Sequence, residues 1–283
     1  MTPAPPNPAL TLGYSPCPND TFIFYALVHH RIDTGAIRFR ETLLDVETLN
    51  QKALKAELDV TKVSFHAYGY LRDDYALIPS GGALGRGCGP LIVAREKVDA
   101  AALRGRKVAV PGGLTTAYLL LLLFDPLLAE NIVVMPFDRI MDSVRLGAVD
   151  AGLIIHESRF TYPDYGLHEV EDLGKWWEAE TGLPIPLGCI LAKKSLGEET
   201  ITAVGRLIRE SIEYAYSHRG ETGHYIRSHS RELQDDVIAR HIGLYVNEYS
   251  LDLGSEGMAA VEALLQRAEQ RGIFRKAGHG AFR

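Results

Sequence analysis

Gly152-Leu153-Ile154-Ile155-His156-Glu157-Ser158-Arg159-Phe160-Thr161-Tyr162 is the stretch on which the reading of this chain turns. The apolar run over 151–155 reads as a strand buried on both faces, the pattern of a parallel sheet covered by helices. It stops at a histidine. Ligands in open α/β sheets bind beyond the carboxyl ends of the strands, so this side chain is held where a substrate would lie. Imidazole titrates near neutrality and suits proton abstraction at pH 7. The competing reading is a histidine that merely caps the strand through a backbone bond. Glu157 and Ser158 stand beside it as partners for its second nitrogen.

Working outward, residues 10–14, 37–40 and 60–63 read as short strands, with helices over 21–29, 45–56 and 64–71. A second set places strands over 91–94, 107–110 and 132–135 and helices over 115–123 and 139–146, leading back to the decisive strand. This alternation is that of parallel sheets with helices on both faces. Residues 186–192 read as a strand that crosses back, and 198–270 as helices near 198–217, 222–229, 234–245 and 255–270. Between Pro79 and Pro90 the five glycines 81, 82, 85, 87 and 89 are expected to break any regular element and to connect two domains. The chain is therefore expected to form a first domain over 10–90 plus 190–283 and an inserted second domain over 91–189, behind a flexible N-terminus over 1–9. Two crossings, near 81–90 and 183–188, make a hinge with the ligand cleft between the domains.

Composition narrows the class. At 283 residues, 46% hydrophobic and 23% charged, the chain is ordinary for soluble globular domains. A formal net charge of −6 argues against a nucleic-acid partner. Cys17, Cys88 and Cys189 are too few and too far apart for a disulfide framework or a metal knuckle, which fits a reduced compartment. Residues 1–9 lack the charge and apolar core of a leader, and the apolar run over 117–124 is too short to span a bilayer. A cytoplasmic location, no membrane partner and no metal are expected; a homodimer is left open.

Three further strand ends carry polar residues. Val110-Pro111-Gly112-Gly113-Leu114-Thr115-Thr116-Ala117 leads a strand through a glycine turn into a helix whose free N–H groups would cradle a carboxylate; a plain threonine cap is the bland alternative. Thr61-Lys62-Val63-Ser64 places a lysine within reach of the cleft and a serine at the next helix start, either as ligand contact or as cap. Ser15-Pro16-Cys17-Pro18-Asn19-Asp20-Thr21 reads as a cleft wall with Asn19 and Asp20 at its rim. Cys17 has no histidine partner in the sequence and is read as a small buried group. Trp176 and Trp177 read as cover for a domain edge rather than as a stacking platform.

Taken together, residues 13–21, 45–50, 81–87, 115–118 and 156–162 resemble the 1,4-dihydroxy-6-naphthoate synthase family, and the likeness extends from about Leu12 to about Asp252. The resemblance implies a two-domain, periplasmic-binding-protein-like (type II) α/β fold adapted to a cytosolic enzyme of the futalosine route to menaquinone. It implies cleavage of cyclic dehypoxanthine futalosine by a carbon–carbon lyase step, with release of a dehydrated-sugar fragment and without a cofactor. It further implies that His156 accepts the proton and that Lys62, Val63, Ser64, Thr115, Thr116 and Ala117 line the pocket for this carboxylated substrate. Asn19, Asn50 and Arg86, inside the matching segments, are further substrate-binding candidates. Two other functions stand beside this one: chorismate dehydratase, a sister enzyme of the same pathway, and a carboxylate-binding protein without catalysis.

Overall fold

The computed structural model describes residues 9–230 and 234–274; the lead-in expected over 1–9 lies, apart from its last residue, outside the described residues. From the N-terminus the chain forms β1 (Leu10–Tyr14), α1 (Pro18–Val28), β2 (Phe39–Leu43), α2 (Val46–Leu54), β3 (Val60–Ser64), α3 (Phe65–Leu71) and β4 (Tyr75–Gly85). It continues through β5 (Leu91–Ala94), β6 (Val108–Val110), α4 (Thr116–Phe124), β7 (Ile132–Val134) and α5 (Phe137–Arg145). Then come β8 (Ala151–Ile154), α6 (Ser158–Thr161), β9 (His168–Asp172), α7 (Leu173–Thr181) and β10 (Ile185–Lys193). Five helices close the described chain: α8 (Glu198–Ser217), α9 (Arg219–His229), α10 (Asp235–Tyr245), α11 (Glu248–Leu251) and α12 (Gly254–Gln270).

The strands form two five-stranded sheets, in the orders β2-β1-β3-β10-β4 and β7-β6-β8-β5-β9. In each, three strands pair in parallel: β1 with β2 and β3, and β6 with β7 and β8. β3 and β8 are buried at every position. The remaining strands run antiparallel, β10 against β3 and β4, and β5 against β8 and β9, so both sheets are mixed. One apolar cluster holds residues of both sheets, Val63 and Leu84 from the first and Ile92 and Val108 from the second, with α4 and Trp177 between them.

Two features depart from expectation. The glycine-rich stretch does not break the structure at its start; β4 runs through Gly81 and Gly82 to Gly85. A Cβ on Gly81 would lie 2.1 Å from Ile190 Cδ1, and Gly81 has φ of +82°, so the missing side chain is what lets β4 lie along β10 with its local register shifts. The chain crosses over 86–90 and returns over 182–184, and the expected return at residue 190 falls inside β10, which begins at Ile185. Beside the first crossing, Gly89 touches Gly174 in the first turn of α7 backbone to backbone: a Cβ on Gly89 would lie 2.3 Å from Gly174 Cα.

Candidate active site

The first wall comes from the turn after β1. Pro18 at the first position of α1 presets its backbone. That places Asn19 and Asp20 in the opening turn, where both are buried. Asp20 Oδ2 accepts from the N–H (3.1 Å) and hydroxyl (2.8 Å) of Ser15. Asp20 Oδ1 accepts from Asn19 Nδ2 at 3.0 Å and pairs with Lys62 Nζ at 2.9 Å. Lys62 also donates to the Gly81 carbonyl at 2.9 Å. Its charge is thus matched inside the protein.

At the end of β3, Ser64 sits at the N-cap of α3 without a side-chain cap bond. Asn50, fully buried on α2, accepts from the Ser64 N–H at 2.9 Å and donates to Ser64 Oγ at 3.2 Å and to the Leu114 carbonyl at 3.3 Å. The Ser64 hydroxyl hydrogen is left to point elsewhere. Asn50 therefore ties α2, β3 and the turn before α4 together, rather than lining the hollow itself.

That turn approaches α2 closely: Leu114 N–H donates to Glu47 Oε2 at 3.1 Å, and a Cβ on Gly112 would lie 2.4 Å from the same oxygen. Thr115 caps α4, accepting from Tyr118 N–H at 3.3 Å and donating to the Gly112 carbonyl at 2.8 Å. Thr116 donates its hydroxyl to the Leu187 carbonyl on β10 at 2.5 Å. Both hydroxyls are committed. What remains for a ligand are the N–H groups of Thr116 and Ala117, which at the first helical positions have no intrahelical acceptor.

His156 follows β8 with φ of +57°, in the left-handed region that non-glycine residues rarely adopt. Its half-buried ring faces Phe137 at 5.1 Å and lies parallel to His241 at 5.9 Å between centroids. Burial lowers the imidazole to about 4; nearby Asp20 opposes the shift and Lys62 adds to it. The ring is neutral at pH 7 and open to a proton. Among the described residues neither Glu157 nor Ser158 hydrogen-bonds to it.

His241, on α10, escaped the sequence reading. It is fully buried, and its Nε2 lies 2.9 Å from Asn19 Oδ1. Because the Asn19 amide nitrogen donates to Asp20, its oxygen is the acceptor, so Nε2 carries the proton of His241. His241 Nδ1 makes no hydrogen bond and stands 3.7 Å from Glu157 Oε2. A run of hydrogen bonds thus extends from α10 through Asn19 and Asp20 to Lys62.

Two hollows share the wall formed by Ser15, Val46 and His156. The inner one holds about 660 Å³, part of it open to solvent, and is lined by Asn19, Lys62, Val63, Ser64, Thr115, Thr116 and Ala117, all expected from sequence, together with Asp20, Leu187 and Tyr245. The outer one is bounded by Cys17, Leu43, Leu44, Asp45, Phe137 and Glu157. Arg86 lines neither. Its guanidinium is spent on the Gly182 carbonyl and on Glu256 of α12, each at 2.9 Å, where it clamps the crossing segment. Trp177 is core, donating to the Pro184 carbonyl at 3.0 Å, and Trp176 packs on Phe124. Burial pushes the Cys17 thiol well up, which removes it as a nucleophile. Among the described residues no helix is long and apolar enough to cross a membrane.

A family profile described as menaquinone biosynthesis matches residues 10–270. The chain is 54% identical over 267 residues to the 1,4-dihydroxy-6-naphthoate synthase of Thermus thermophilus, covering 94% of this chain and 96% of that one. It is 50% identical over 276 residues to the enzyme of the same name from Streptomyces coelicolor, covering 96% and 97%. Among solved structures, a protein from Archaeoglobus fulgidus superposes with a TM-score of 0.88 at 38% identity, over 94% of this chain and 98% of that one. A Candida albicans protein described as having the generic periplasmic binding protein fold superposes at 0.70 with 13% identity, over 96% and 92%, and shares the fold alone.

Proposed function

The chain belongs to the menaquinone biosynthesis family, and from that premise we propose that it produces 1,4-dihydroxy-6-naphthoate by a carbon–carbon lyase step on cyclic dehypoxanthine futalosine, in the cytoplasm and without a cofactor. The observation that carries the chemistry is His156, a neutral imidazole in a constrained backbone at the wall shared by two hollows. It takes a proton from the substrate. The electron pair left by that proton completes the aromatic ring, the carbon–carbon bond to the sugar-derived part breaks, and its electrons leave with the departing fragment, which takes up a proton. A positioned base of this kind contributes roughly 10²–10⁴-fold.

The carboxylate is held in the inner hollow by the N–H groups of Thr116 and Ala117 and the hydroxyl of Ser64. Lys62, already paired with Asp20, fixes the β3 wall and lends its remaining N–H. Closure of the two sheet-bearing halves about 86–90 and 182–184 would exclude water. Incubation of the purified protein with cyclic dehypoxanthine futalosine should yield the naphthoate. Consumption of chorismate instead would make it the dehydratase, and binding without turnover would make it a carrier.

A further inference from the structure

The inner hollow has one donor that the carboxylate-binding groups do not use. Tyr245, the last residue of α10, lines it and is 6% exposed. Its backbone is pinned to β4: Ser250 Oγ stands 3.2 Å from the Tyr245 carbonyl and donates to the Gly82 carbonyl at 2.8 Å. Asn247 Nδ2, two residues on, donates to the Leu84 carbonyl at 2.8 Å. The phenol is not tied down in this way. Among the described residues its hydroxyl has no hydrogen-bond partner, and it is not sealed inside the core, so the hollow is what it faces. Buried tyrosine hydroxyls ordinarily find a partner, which leaves this one to bond whatever enters the hollow. Burial pushes its pKa well up, so it stays a neutral donor at working pH.

Its place in the fold says what it meets. Ser64 of β3 and Ala83 of β4 both pair with Gly188 of β10, so two strand spacings, about 9–10 Å, separate these sides of the hollow. The carboxylate groups stand on the β3 side, where the starts of α3 and α4 meet through His66 N–H and Thr116 Oγ1 at 3.4 Å. Tyr245 enters from the β4 side, where Ala83, Cys88 and Pro90 line the hollow. A fused two-ring acid held by its carboxylate on the β3 side therefore presents its far ring to the phenol. His241, one turn earlier on α10, has its ring 4.7 Å from that of Tyr245 and 5.9 Å from that of His156. Phenol and base thus occupy adjoining stretches of the wall.

We propose that Tyr245 contacts the substrate directly, its hydroxyl donating to an uncharged ring oxygen, one of the two that the product keeps as hydroxyls. This contact rests on the lyase reading above. It makes Tyr245 a specificity residue: the start of α4 and Ser64 select for a carboxylate, and the phenol selects for an oxygenated ring. A site built to bond such an oxygen discriminates against the analogue that lacks it.

The test uses two ligands, 1,4-dihydroxy-6-naphthoate and 2-naphthoate, the same ring acid without its hydroxyls. Their Kd values are measured by calorimetry on the unmodified protein and on Tyr245→Phe. The unmodified protein should bind the dihydroxy acid at least about threefold more tightly than 2-naphthoate. Tyr245→Phe should weaken the dihydroxy acid about three- to tenfold, the size of one neutral hydrogen bond, and leave 2-naphthoate within twofold. Because no bond of the free protein is lost, its urea midpoint should be no lower than the parent's. Equal weakening of both ligands, or unchanged binding of the dihydroxy acid, overturns the contact. So does equal affinity of the unmodified protein for the two acids, a result that needs no variant to fold. Failure of the unmodified protein to form the naphthoate from cyclic dehypoxanthine futalosine would sink the lyase reading instead, so the two failures are told apart.

Discussion

His156 holds φ of +57°, and this region costs an ordinary L-residue about 1–2 kcal/mol while asparagine visits it more readily. His156→Asn should therefore fold with a thermal midpoint no lower than the parent, bind substrate, and lose about 10²–10⁴-fold in kcat. Near-normal turnover would remove His156 as the base. A base lowered to about 4 must be unprotonated to act, so kcat/KM should be level through neutrality and fall about tenfold per pH unit only below about 4. The Asp20–Lys62 pair, with side chains 3% and 5% exposed, makes a second prediction. Asp20→Ala leaves a buried ammonium unmatched and should cost about 3–5 kcal/mol in urea unfolding, most of it recovered by adding Lys62→Met. Lys62 was readable as a cleft residue, but its neutralisation was not, since Asp20 joins it only through the pairing of β1 with β3. Asn19 and His241 lie 222 positions apart, and no local pattern marks such a contact.

At the level of elements, what could be read was what periodicity and caps announce. The long helix expected over 198–217 is α8 to the residue, because its apolar face recurs at helical spacing. The strand before His156 was legible for the same kind of reason, a run of apolar residues closed by a polar one. β4 and β9 were not. β4 carries proline and glycines that ordinarily weaken strands, and only its packing on Ile190 gives them a place. β9, His-Glu-Val-Glu-Asp, is an edge strand, where charged residues guard an open ladder and hide the usual alternation. The doubled threonine was read correctly as a helix start, but its hydroxyls are structural. Thr115→Ala should cost about 1 kcal/mol through the lost cap, with KM shifted only through α4, measured by unfolding and kinetics on one preparation.

On the scale of the whole molecule, two buried histidines and the partly buried His156 tie the fold to pH. Burial holds His66 and His156 at about 4 and His241 well below its usual value. Between the ordinary histidine range near 6.5 and about 4, the unfolded chain binds protons that the folded one does not. Stability therefore rises with pH across this window and is lost as pH falls through it. By pH 5 the loss should reach roughly 2 kcal/mol for each fully buried histidine, and less for half-exposed His156. Urea midpoints at pH 7 and pH 5 read the effect, and His66→Gln should flatten the dependence. Unchanged midpoints would mean that these rings titrate normally. The two-sheet architecture itself followed from the two strand–helix series, whereas the contact that sets the first crossing, at Gly89, against α7 at Gly174 depends on backbone approach.

The matched lysine also bears on how fast substrate arrives. With Lys62 cancelled by Asp20 and a formal net charge of −6 on the chain, neither that lysine nor the overall charge draws an anion in from a distance. Capture then depends on diffusion against a weakly repulsive field, which dissolved ions screen over a Debye length of about 10 Å at 0.1 M. Raising ionic strength should leave kcat/KM level or lift it slightly in stopped-flow traces, the reverse of an electrostatically steered enzyme. A several-fold fall would mean that Lys62 parts from Asp20 before the encounter.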